Sequence, residues 1–250
     1  MIINKIIIAL LCITATLLTG SCTTASSTVE SKVSAVESTG NQLSLQASYS
    51  ALGKTTGKVY TLNPSASRVR IYAFRAGTAA ILGHNHVLSS PQFTGFIYLP
   101  EDGISAARFD LEFRLDQLEI DNPEDRSSLG SAFSTILTPG SIGRTREHML
   151  SSLQADRFPI VRIHSLQIAG EVPKLAAKIQ VELHGQQREI WIPLSVESLP
   201  DHISATGTLV LRQSEFGVQP YSVLGGFLAV QDEVVVEFSL VGGLPQGKMF

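Results

Sequence analysis

The segment at residues 175–196, LAAKIQVELHGQQREIWIPLSV, constrains the fold more than any other. On its first arm Leu175, Ala177, Ile179, Val181 and Leu183 share one face, and Lys178, Gln180, Glu182 and His184 share the other. A period of two marks a strand with one dry and one wet side. Gly185, Gln186 and Gln187 can turn the chain, since glycine takes positive φ freely. The return arm sets Ile190, Ile192, Leu194 and Val196 against Glu189, Trp191, Pro193 and Ser195. The pattern predicts a long antiparallel hairpin with an apolar inner face.

Other segments repeat the alternation. Strands are expected at 58–63, 67–76, 93–99, 108–116, 159–168, 203–212, 216–218 and 230–240. The clearest is 108–116, with Phe109, Leu111, Phe113 and Leu115 opposite Asp110, Glu112, Arg114 and Asp116. The strand at 93–99 (FTGFIYL) is apolar on both faces, so it is either covered on both sides or broken at Gly95. One helix is expected at 144–153, capped by Thr138 or Ser141. Trp191, on the outer face of the hairpin, is expected either to face a membrane or to pack under that helix, with packing preferred; 221–227, with Gly225 and Gly226, is read as a structural loop in preference to a mobile lid. About eight to ten antiparallel strands and one short helix, without a βαβ rhythm, make an all-β barrel or sandwich. A barrel of that size is either filled by its side chains or holds one apolar ligand; periodicity does not separate the two.

The first residues carry a different message. Lys5, the apolar run 6–18 and the small residues before Cys22 read as a signal peptide at 1–21 ending in an imperfect lipobox, with Cys22 as the lipidated residue. Thr23 then favours anchoring at the outer membrane, on the periplasmic side of a bacterial envelope. Residues 22–57, rich in Ser, Thr and Gly, are expected to be a flexible tether. The domain is expected at 58–243, with a tail at 244–250. Both cysteines, Cys12 and Cys22, precede the domain, so it has no disulfide and no thiolate chemistry. The net charge of −3 becomes −4 when residues 1–21, with Lys5, are removed. A mildly acidic chain without a Lys/Arg run does not point to nucleic acid as a partner.

Six short patterns, in order, resemble the YceI-like family. They are Tyr60–Leu62 with Ser67–Phe74; Phe93, Gly95 and Ile97; Phe109–Leu115 running into Ile120–Asp121; Arg144, His148 and Leu150 followed by Phe158–Pro159 and Arg162–Ile163; Leu183–Gly185 with Arg188; and Leu211, Ser214, Phe216 and Gly217. The resemblance covers roughly 59–241. It implies an extended, lipocalin-like antiparallel β-barrel with a helix against it. It also implies an exported protein that binds a polyisoprenoid or similar long amphiphile. The loop Gly83–His84–Asn85–His86 departs from the single histidine common in the family.

The inward positions expected to meet such a lipid are Val69, Ile71, Phe109, Leu111, Phe113, Ile179, Val181, Ile192, Leu194, Leu209, Val236 and Phe238. An isoprenoid tail needs few polar contacts, since each buried CH₂ contributes about 0.8 kcal/mol. A second reading uses His84 and His86, two apart on an extended chain, with His148 as a third ligand for a metal or haem. A third is a filled barrel with a structural role. No G-x-S-x-G elbow and no HExxH is present, so no catalytic residue is assigned and the chain is not read as an enzyme.

Overall fold

The computed structural model describes residues 45–245. The signal segment 1–21, Cys22, the tether as far as residue 44 and residues 246–250 lie outside the described residues.

The hairpin forms as its alternation requires. β8 (Lys174–Leu183) and β9 (Gln186–Ser198) pair so that Leu175 faces Leu194, Ala177 faces Ile192 and Ile179 faces Ile190. Its turn is tighter than expected and lies one residue earlier. His184 and Gly185 alone make it, at φ +54° and +69°, the left-handed pair of a two-residue turn matched to strand twist. Phe158 packs where a Cβ on Gly185 would stand, so that glycine is needed twice over.

The remaining strands are β1 (Gly57–Leu62), β2 (Arg68–Ala76), β3 (His86–Ser89), β4 (Thr94–Pro100), β5 (Arg108–Arg114), β6 (Glu119–Ile120), β7 (Ile160–Glu171), β10 (His202–Arg212), β11 (Ser222–Val223) and β12 (Leu228–Gly243). Eight of them, in the order β1-β4-β5-β7-β8-β9-β10-β12, form an antiparallel ring. It closes where β12 meets β1, Thr61 opposite Gly243 and Leu62 opposite Gly242. Toward its other end β12 leaves β1 and pairs with β2 from Ser239 to Ala229. β2 then carries β3 and β6, so the barrel has a closed end and a splayed end. This extension, with the short β11, raises the count to twelve among the described residues, above the eight to ten expected. The piece expected as a strand at 216–218 is not one. Asp232 accepts hydrogen bonds from the Ser214 amide and hydroxyl, which hold the chain in a short 3-10 turn ending at Gly217.

Helices also exceed the one expected. α1 spans residues 45–52, inside the segment read as tether. Tyr49 stacks on Phe96 at 5.2 Å and donates a hydrogen bond to Asp110 at 2.7 Å. With Leu45 and Leu52 it covers the outward Phe96 and Tyr98 of β4. The doubly apolar β4 is therefore unbroken and covered on both faces. Gly95 makes room for Leu62, whose Cδ1 would lie 2.5 Å from a Cβ there. α2 (Pro123–Ser127) is a single turn capped by Asn122. α3 (Pro139–Ser152) starts five residues before the expected position, because Thr138 accepts from the Ser141 amide and Pro139 fills the first helical position. It lies at the splayed end, with Ile142, Met149, Leu150 and Leu153 packed on Leu115, Leu118, Phe113 and their neighbours. Trp191 is not under it. It stands half-exposed on the outer wall opposite Lys178 of β8.

Candidate ligand cavity and its rim

The barrel is hollow. A cavity of about 360 Å³ runs from Leu99, Ile168 and Val196 near the closed end to α3 at the other. That volume falls within the usual range for small-molecule sites. A filled barrel is thereby excluded. All twelve positions expected to point inward line the cavity. The strand period fixed them, since every second residue of a closed sheet must face inside.

Other wall residues lie outside those twelve. Ala73 and Ala205 widen the space on two strands, and Met149 of α3 and Leu153, at its C-cap, close it from above. Apart from Arg108, the polar lining comes from the splayed end: His86, Thr145, His148, Ser152, Gln213 and Tyr221. His148 lines the cavity yet is exposed, which places the mouth beside α3. There the His148 ring stacks on Tyr221 at 4.2 Å, and the Tyr221 hydroxyl lies 3.2 Å from His148 Nε2. The pair ties α3 to the loop before β11.

The three histidines do not assemble a metal centre. Among the described residues no group of three His, Cys, Asp or Glu side chains is placed to hold an ion. His148 is engaged with Tyr221. His86 Nδ1 pairs with Asp121 Oδ2 at 2.6 Å. His84 is exposed; desolvation first, then repulsion from the nearby His86, Arg126 and Arg75, lowers its pKa. The loop at 83–86 serves as a clamp instead. Buried Asp121, at φ +55°, accepts from the Val87 amide and, at 2.6 Å, from Arg126. Arg126 also donates to the Asn85 and Thr135 carbonyls, and Asn85 donates to the Ala132 carbonyl. Burial pushes the Asp121 carboxyl up, but the bonds from His86, Val87 and Arg126 outweigh it and hold it below the usual range.

This clamp fixes two loops of the splayed rim, 77–85 and 130–138. A third, 224–227, abuts the first: the Ala79 amide donates to the Phe227 carbonyl at 2.9 Å. Gly77, at φ +90°, lies so close that a Cβ would meet the Gly226 oxygen at 2.4 Å. These loops display Ile81 (81% exposed), Ile136 (94%) and Leu224 (81%), with Leu82 and Phe227 beside them.

A family model described as a YceI-like domain matches residues 60–242. Among eleven matching solved chains is BcnA of Burkholderia cenocepacia, at 13% identity and a TM-score of 0.54, over 72% of this chain and 98% of that one. A YCEI protein of Campylobacter jejuni matches at 9% identity and a TM-score of 0.46, over 64% and 85%. Comparison with curated proteins finds no match. At 13% identity the likeness to BcnA concerns the fold alone, an antiparallel barrel of the same kind. The family match spans nearly the whole barrel, from the middle of β1 to the end of β12: this chain belongs to the YceI-like family.

Proposed function

We propose that this barrel is an exported carrier that holds a polyisoprenoid or similar long apolar amphiphile, without acting on it chemically. The observation that supports this most is the cavity, lined by apolar side chains through most of its length and polar only near its mouth. An isoprenoid tail fits that distribution: its carbons go to the wall and its head group stays by His148, Ser152 and Tyr221. In this reading the signal segment 1–21 exports the chain, and Cys22 carries a lipid that holds it at the periplasmic side of the outer membrane.

The test is extraction of the gently purified protein followed by mass spectrometry. A stoichiometric isoprenoid or other long-chain amphiphile is expected. Ala205→Phe, which projects a ring into the cavity, should abolish that content while the barrel stays folded by circular dichroism. Overpacking of this kind destabilises by about 1–3 kcal/mol. Wild-type protein that is free of lipid, or a variant that retains it in full, overturns the reading.

A further inference from the structure

We propose that the splayed rim docks on the surface of a lipid bilayer, so that the cavity mouth opens directly against membrane. Five apolar side chains, Ile81, Leu82, Ile136, Leu224 and Phe227, stand exposed on three separate loops, and none of the five lines the cavity. Scattered exposed leucines need no explanation, but a cluster around one opening does. Leu224 adds a second sign. It sits at φ +52°, a conformation unfavourable for leucine, at the tip of its loop.

The chemistry of the loops selects the occupant. Residues 76–100, 127–143 and 216–231 contain no Asp, Glu, Lys or Arg, although 16% of the chain is charged. A protein partner would be met by a rim carrying charge or matched hydrogen-bonding groups around an apolar centre. A loop that enters the boundary between head groups and acyl chains must instead leave charges behind, because desolvating them is costly. The mild negative charge of the chain also argues against attraction to anionic lipid. The rim is therefore suited to a neutral bilayer, entered by apolar side chains alone. Docking gives the lipid-holding reading its route of exchange and rests on that reading for its purpose, but it is measured separately.

Trp191 is the single tryptophan and lies on the outer wall, away from the rim, which supplies an internal control. The full chain, with Cys22→Ser in every sample so that no lipid anchor contributes, is mixed with vesicles of phosphatidylcholine brominated in the acyl chains. Emission from Trp191 should be unchanged. In Trp191→Phe/Phe227→Trp the new indole should be quenched and shifted to the blue. Adding Ile81→Glu/Leu224→Glu to that background should raise the lipid concentration needed by at least about tenfold. Replacing part of the lipid with phosphatidylglycerol should change little. Equal quenching at both indoles, or none at position 227, overturns the docking. Self-association abolished by the same glutamates, without quenching, assigns the rim to a second copy and overturns it too. A lipid-free barrel that still docks removes only the carrier reading; a loaded barrel that is never quenched removes only the docking.

Discussion

Asp121 is the residue on which the rim depends. Its carboxylate is buried and binds His86, Val87 and Arg126 together, and Arg126 reaches on to Asn85 and Thr135. Removing one partner of a buried ion pair strands the other charge, which costs about 3–5 kcal/mol. Asp121→Asn should lower the unfolding free energy, measured by urea titration, by an amount in that range. The sign of the pH dependence follows from the depressed folded pKa. The unfolded carboxyl takes up its proton near 3.9, and the folded one does so only at lower pH. Asp121 therefore stabilises the fold above about pH 4, and that contribution disappears as pH falls through the folded value. Urea titrations between pH 2 and 7 should show a shallower acid slope in Asp121→Asn than in wild type. None of this was visible in the sequence. The resemblance marked Asp121 as the end of a strand, but Arg126 lay in a polar stretch with nothing to show that it turns back inward. The two histidines of GHNH suggested a metal because spacing reports proximity and not partners.

Among the elements, α1 is the one that changes the reading of its neighbours. β4 is apolar on both faces, and only a covering element outside the barrel can account for that. The signal was present in LQASYSAL, where Leu45, Tyr49 and Leu52 follow helical spacing. It was masked by the Ser-rich composition of the segment around it. Tyr49→Ala should destabilise the protein by roughly 3 kcal/mol and expose Phe96 and Tyr98, measured as a lower urea midpoint with new binding of an apolar dye. The wall strands were legible for the opposite reason. In β5, β8 and β9 the alternation is unambiguous, because apolar side chains face inside and mostly polar ones face outward. The splayed extension was harder to foresee, since β3 and β6 are too short for a period of two to register. That the barrel is hollow could not be read from the pattern at all. The same alternation serves a filled interior, and the difference rests on side-chain volumes such as those of Ala73 and Ala205.

For the barrel taken entire, occupancy and stability are linked. A ligand that binds only the folded form adds about 2.7 kcal/mol when present at a hundred times its dissociation constant. Extracting the lipid should lower the melting temperature, and returning an isoprenoid alcohol should restore it; equal melting curves would mean that the cavity holds nothing of consequence. The seam has a further consequence, in time and not in space. β12 follows every other strand, yet it is the one strand that joins β10, β1 and β2. Until it arrives, β10 has an open edge and the first strands have nothing to close against. Contacts between the two extremes of a chain form slowly, because a long loop must be closed before they give anything back. An enclosed interior therefore comes into being only at the last step of assembly. Under the carrier proposal, cargo is taken up at that moment or afterwards, and not before.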